Sequence, residues 1–543
     1  MSKVPAPEQS LTFTNPLLEG MHPDPSICRQ GDTFYLVNST FEYLPGLPVY
    51  ASTNLVHWDL IGHAITRPEQ LDLSSARASG GLFAPTIREH NGLFYIACTA
   101  VGVDGPSGSF YITAASAAGP WSNPVWLPDA AGIDPTIFFD GDDIWWAGCR
   151  QVAEPEYEGQ TEIWLQRLDP VEGRLTGPEH ILWTGAVKGA IWAEGPHLYK
   201  HGEYFYLLAA EGGTGDNHAV SVARANNVTG PYLGNPRNPV LTHRNFGGTA
   251  AVQCVGHADL VQATDGSWWA VALATRPRHS LTLLGRETFL APVAWENDWP
   301  VFNPGLGCLS ESGEVPAFVT AETNAAAEQP LITSPNPVRR VLGRDEPWIT
   351  ARGFPAQHMG EAGSENRIAL LSTGARVDRT EPAAALGVRL SHHTAAFAAT
   401  VERLLRSPAA GGPMQTLVGI SLSQSPESQI RAELSVEKAA RIDIIEVAGG
   451  VSRIVESRNL DDETFDRLVA GEPAGIELRM AVLDGATVRV ETGTDGAVVL
   501  SADLPARVLS TEAAGGFVGA VASVYSMGTA GTGAVFAEMV YER

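Results

Sequence analysis

Three acidic residues of this chain hold the same place in a repeating pattern. Five apolar-aromatic runs each follow a glycine: "GDTFYLVNST" from Gly31, "GLFYIACTA" from Gly92, "GDDIWWAGCR" from Gly141, "GEYFYLLAA" from Gly202 and "GSWWAVALA" from Gly266. Just upstream of these glycines stand "PDPSI" with Asp24, "FAPTI" with Ala84, "IDPTI" with Asp134, "AEGPHL" with Glu194 and "GHADL" with His257. The acid precedes its glycine by seven residues at Asp24 and Asp134 and by eight at Glu194. Taken alone, Asp24 between two prolines is most simply a turn former. A shared phase is different, because solvated surface acids have no reason to recur at one point of a repeat. If the fold brings the three together, their charges repel and at least one holds its proton to higher pH. Two carboxyls of separated pKa are what acid–base hydrolysis requires. Proline fixes its own φ and pushes the residue before it toward extended geometry, so Asp24 is expected to be rigid and extended.

The elements that must position these acids follow from the same repeat. The glycines lie 61, 49, 61 and 64 residues apart, room for about four short strands each. The echoes "STNLVHW", "AAGPWSNP" and "VTGPYLGNP" keep the phase. Five such units predict a five-bladed β-propeller over residues 10–320, with the first strand of each blade lining the central channel and the acids meeting at one mouth. After the connector "FVTAETNAAAEQPLITSPNPVRR" the aromatic repeat stops. Period-2 strands such as "IELRMAVLDGATVRVETG", with Asp484-Gly485 as a hairpin turn, predict a β-sandwich over 335–543. The fold class is therefore all-β.

Composition narrows the chemistry. With 44% hydrophobic and 18% charged residues over 543, the chain is globular and large enough for more than one core. A net charge of −25 argues against nucleic-acid and anionic-membrane partners, since phosphate contacts need basic patches. No apolar run has membrane-spanning length, and "MSKVPAPEQSLTFTNPLLEG" carries no export-type apolar segment, so a cytoplasmic location is expected. Cys28, Cys98, Cys149, Cys254 and Cys308 are scattered without zinc-type spacing and read as free thiols. Zinc-protease, phosphate-loop, dinucleotide and serine-elbow motifs are absent.

Seven segments in order carry a resemblance: "HPDPSI", "NSTFEYLPGLPVYASTNLVHW", "SGGLFAPTIREHNGLFYI", "GIDPTIFFD", "AEGPHLYKHGEYFYLLAAEGGTG", "GHADLV" and "LGRETFLAPV". With them the chain resembles the two-domain β-xylosidases and α-L-arabinofuranosidases of glycoside hydrolase family 43. The resemblance implies Asp24 as general base, Glu194 as general acid and Asp134 as the acid that tunes Glu194. It implies an inverting mechanism, with the two carboxyl groups roughly 6.5–9.5 Å apart. It further implies Arg286 reaching into the sugar pocket, Phe41 and Phe83 as aromatic walls, and His218 and His257 as pocket residues. Members of the family the chain resembles often carry Trp where Phe83 stands. No cofactor is required, although the resemblance admits a calcium ion near His257. Calcium prefers oxygen ligands, and no acid cluster is evident for it.

The expected activity is exo-acting release of terminal β-D-xylose, and of α-L-arabinofuranose, from small oligosaccharides. A mainly arabinofuranosidase activity and a non-catalytic carbohydrate-binding propeller stand as alternatives. Family 32 fructan hydrolases fit less well, because their "NDPNG", "RDP" and "EC" motifs are missing. Self-association as a homo-oligomer is left open. The loop "SVYSMGTAGTG", residues 523–533, is expected to lean over the propeller mouth.

Overall fold

The repeat glycines turn out to be hairpin corners. The first blade pairs Ser26–Gln30 with Thr33–Val37, leaving Gly31-Asp32 as the two-residue loop. Gly31 sits at φ 58°, the left-handed geometry that such turns need and that glycine adopts without strain. In the second blade the corner is Asn91-Gly92, with φ 53° and 80°, both left-handed as a type I′ turn requires.

The computed structural model describes residues 10–317, 339–406 and 415–543. Within it, five successive meander sheets form the propeller. Their first strands are Ser26–Gln30, Thr86–His90, Ile133–Asp140, Glu194–His201 and Gln253–Gln262. Alternation along these strands closes the ring. In the fourth blade Leu198 packs into the cluster shared with Phe138 and Trp145 of the third, while Tyr199 packs with Ala258 and Phe289 of the fifth. Ile27, Phe34 and Leu36 of the first blade meet Val261, Trp269 and Leu290 of the fifth, completing the circle. The strand Ser10–Thr14 pairs with Ser312–Pro316 after blade five and ties the ends together.

The later residues form two facing antiparallel sheets, one of eight strands around Thr532–Glu542 and Ala395–Arg406, the other of six around Val521–Gly528 and Thr416–Ser425. Val401, Phe536, Ile420 and Val524 fill the space between them, giving the β-sandwich that period-2 patterning predicts. The predicted boundary, between residues 320 and 335, lies outside the described residues.

The two layers share core. Leu281, Leu283 and Leu284 of the fifth blade are buried in the sandwich cluster. Thr350–Ala351 pairs with Tyr43–Leu44, and the Arg352 N–H donates to the Glu42 carbonyl at 2.7 Å. A buried ion pair, Arg352 with Glu42 at 3.6 Å, reinforces this seam.

Candidate active site

The first strands converge at one mouth of the ring, and the candidate residues gather there. Asp24, Asp134, Glu194, Phe41, Phe83, His218, His257 and Arg286 all line a single cavity of about 80 Å³, joined by Thr214 and Phe517. That is small beside common ligand pockets of roughly 300–1,000 Å³.

Local backbone geometry aims the acids. Asp24 and Asp134 have φ 51° and 54°, and His257 has φ 45°. The extended geometry expected of Asp24 is thus corrected. A left-handed residue before proline is disfavoured sterically, and it persists here where surrounding contacts hold it. The ladder shifts register between Ile133 and Thr136, between Glu194 and His197, and between Gly256 and Ala258. Three blades therefore begin with a bulge at the same point, a device that redirects a side chain out of the pleat. Gly195, at φ 57°, leaves room for the His257 ring, which a Cβ would meet at 2.8 Å.

Of the three acids, Asp24 is the best-held anion. Arg286 donates through Nη1 to Oδ1 at 2.8 Å and through Nη2 to Oδ2 at 3.4 Å, and Ser39 Oγ donates to Oδ2 at 2.5 Å. Burial alone would raise this carboxyl's pKa, but Arg286, His257, Ser39 and His218 together outweigh it and hold it below its ordinary value. Asp134 has a single backbone donor, Gly195 N–H at 3.2 Å. Burial, and then the charge of Asp24, raise it to about 6 despite His257. Glu194 is pushed well above its ordinary value by burial and by Asp134 and Asp24. One cavity thus holds three carboxyls graded in proton affinity.

Arg286 is turned toward Asp24, with Thr214 Oγ1 accepting at 3.2 Å, rather than standing free in the cavity. His218 donates from Nδ1 to the Cys254 carbonyl at 2.9 Å, which leaves Nε2 as an acceptor; burial lowers its pKa to about 4. The close approach of its ring to Gly256 would place a Cβ there 2.3 Å away.

The aromatic wall corrects one expectation. The segment 523–533 does not cover the mouth; most of it is the sandwich strand Val521–Gly528 and the turn after it. The covering loop lies just upstream, at Gly515–Val518. Phe517 stacks on Phe41 with centroids 5.7 Å apart and meets Phe83 edge-on at 6.0 Å. Its N–H donates to Ser79 Oγ at 2.9 Å, and the Arg286 guanidinium lies 5.5 Å from both the Phe41 and Phe517 rings. Gly519 abuts Gly285, where a Cβ would meet backbone at 2.8 Å, so the loop rests directly on the segment carrying Arg286.

Beneath the acids, Asp259 accepts from Arg88 (2.8 and 3.1 Å), Tyr199 (2.5 Å) and Ser26 (2.7 Å), linking blades five, two, four and one. Arg88 also donates to His197, whose ring lies 6.3 Å from that of His257. Among the described residues no group of three or more His, Cys, Asp or Glu side chains is placed to hold a metal.

The sequence also matches the family model described as glycosyl hydrolases family 43 over residues 13–300. The chain belongs to glycosyl hydrolase family 43. A xylosidase/arabinosidase from Butyrivibrio fibrisolvens is 50% identical over 305 residues, 55% of this chain and 58% of that protein. A non-reducing end alpha-L-arabinofuranosidase from Bacteroides ovatus is 49% identical over 293 residues, 53% of each. The match thus spans little more than half the length of these curated relatives. Over nearly the whole chain, the solved Bacteroides ovatus xyloglucan family 43 protein superposes with TM-score 0.82 and 32% identity, covering 98% of this chain and 100% of that one.

Sequence reasoning missed Phe517, Thr214, Ser39 and the Asp259–Arg88 pair as parts of this family 43 site. Thr214, Ser39, Arg88 and Asp259 stand inside the motifs "EGGTG", "NSTFEYLPG", "FAPTIREH" and "GHADLV". Phe517 stands in no motif, and only the tertiary fold brings it to the cavity.

Proposed function

We propose that the protein is an exo-acting glycoside hydrolase that removes terminal β-D-xylose, and also α-L-arabinofuranose, from short xylo-oligosaccharides with inversion. The observation that carries this reading is the set of three carboxyls, graded in proton affinity, on one small cavity.

In this reading Glu194, which burial and its acidic neighbours make hold its proton more tightly than an ordinary carboxyl, gives that proton to the leaving glycosidic oxygen. Asp24, kept ionised by Arg286 and Ser39, takes a proton from the water that attacks the anomeric carbon from the opposite face. Asp134 lifts the Glu194 pKa by its charge. Phe41, Phe83 and Phe517 wall off the cavity, so a single terminal sugar enters and the rest of the chain stays outside. His218 Nε2 and the guanidinium of Arg286 are the polar groups positioned to meet ring hydroxyls. The names of the relatives, xylosidase/arabinosidase and non-reducing end alpha-L-arabinofuranosidase, support both substrates and favour an arabinofuranosidase reading as the second choice.

The test compares 4-nitrophenyl β-D-xyloside with the α-L-arabinofuranoside, using the wild-type protein, Asp24→Ala and Glu194→Ala. Proton NMR follows the first anomer released. Turnover by wild type, lost in both variants, with α-xylose appearing first from the β-xyloside, is expected. Immediate β-xylose would refute inversion, and unchanged turnover in either variant would remove that residue's role.

A further inference from the structure

A second cavity, of about 550 Å³, lies between the outside of blade one and the sandwich, away from the acids. Tyr50, Trp58 and His22 line it from the propeller, and Arg389, His392 and Tyr541 from the sandwich.

Part of its charge is matched. Glu19 is met by His392 Nε2 at 3.0 Å and by Arg543 at 3.5 Å, and Glu346 pairs with Arg340. Arg389, at the end of the strand Ala384–Arg389, has no such partner, and Asp59, Arg344, Asp345 and Glu365 on the cavity wall also form no ion pair among the described residues. No carboxylate pairs with Arg389 and none of its nitrogens donates to a described residue, while its Nε is sealed from solvent. Its titratable neighbours are Tyr43, Tyr50, His22 and His63. Both histidines are held neutral: burial, and then the Arg389 charge, lower each to about 3. His22 donates from Nδ1 to the Glu19 carbonyl, so its Nε2 takes the Tyr50 hydroxyl proton at 2.9 Å and the Tyr50 oxygen stays open to further donors.

Arg389 is half-buried on the cavity wall among neutral groups, and an unpaired guanidinium so placed favours an anion that meets it. Its planar fork fits a carboxylate through two parallel hydrogen bonds. Asp59, Asp345 and Glu365 stand exposed on the cavity wall, where they repel a polyanion and accept hydrogen bonds from hydroxyls. A ligand with one negative end and a hydroxyl-bearing body satisfies both regions, and the volume suits one or two sugar rings.

We propose that this cavity binds a small hydroxylated carboxylate of the uronic-acid type, with its carboxylate on Arg389. The inference is independent of the roles given to Asp24, Asp134 and Glu194.

Calorimetric titration of the full-length protein with D-glucuronate, acetate and D-glucose tests it, together with thermal melting with and without each compound. Wild type binds glucuronate at least about tenfold more tightly than glucose, and its melting temperature rises with glucuronate. Arg389→Met loses that binding and the glucuronate-induced rise, while its ligand-free form melts no lower than wild type because the guanidinium makes no ion pair that the change would break. Arg389→Lys keeps the charge without the fork and binds about tenfold more weakly, which covers the case in which Met at this position unsettles the fold. Acetate binding equal to glucuronate identifies a free carboxylate as sufficient; glucuronate binding alone identifies the sugar body as part of the recognised group. Undiminished glucuronate binding in both variants, or no binding of either carboxylate to wild type at millimolar concentration, overturns the proposal.

Discussion

Asp134→Asn separates what the acid cluster does for catalysis from what it does to stability. In the folded protein Asp134 keeps its proton up to about pH 6, against 3.8 when unperturbed. Folding therefore takes up a proton between those values. Wild-type stability falls as pH rises through that window and stays lower above it. Moving one carboxyl from 3.8 to about 6 corresponds to about 3 kcal/mol once both states are ionised. Asparagine is neutral at every pH and its amide oxygen still accepts the Gly195 N–H, so the variant escapes this cost. Its advantage over wild type grows from about 1.5 kcal/mol at pH 5 to about 3 kcal/mol at pH 8. Urea unfolding followed by tryptophan fluorescence across that range reads the trend. Activity moves the opposite way: without the Asp134 charge the Glu194 pKa drops, and the alkaline limb of the kcat profile shifts to lower pH. A stability difference that is constant with pH, or an alkaline limb that does not move, would refute the electrostatic reasoning.

Arg286→Lys replaces a two-pronged contact with a single one, so the Asp24 carboxyl climbs toward its ordinary value. The acidic limb of the pH–rate profile moves up with it, and kcat/KM falls about 10²-fold in steady-state assays. Phe517→Ala opens the cavity wall; KM for a nitrophenyl glycoside rises about tenfold while kcat changes less, as expected for lost ground-state binding. Arg352→Met leaves Glu42 buried without its partner and costs about 3–5 kcal/mol in denaturant unfolding, and adding Glu42→Gln recovers much of the loss.

The propeller and the acids were legible in the sequence because their signals are local and repeated. Each hairpin glycine sits next to the run it turns, and Asp24, Asp134 and Glu194 precede it by seven or eight residues. The backbone of Asp24 was not legible. Pro25 by itself argues for extended geometry, and the left-handed φ depends on Ser39 and Arg286 grasping the side chain from elsewhere in the chain. Arg286 was found by motif, but its engagement with Asp24 follows from the ring closing on itself. Phe517 was out of reach for another reason. Its neighbours "AAGGFVGA" have the glycines of any turn, and nothing in them marks the contact with Ser79 and Gly285. The covering loop lies in the expected domain but at the opposite end of the strand Val521–Gly528.

Phe517 lies 231 residues along the chain from Arg286, yet its backbone carbonyl and ring both reach that arginine. The lid of the pocket and its floor therefore belong to separately tunable stretches of gene. New sugar preferences can arise by exchanging the short Gly515–Val518 turn while every blade that carries an acid is inherited intact. The same arrangement binds the layers to one another, because any exchanged sandwich would have to receive Leu281, Leu283 and Leu284 in its own interior.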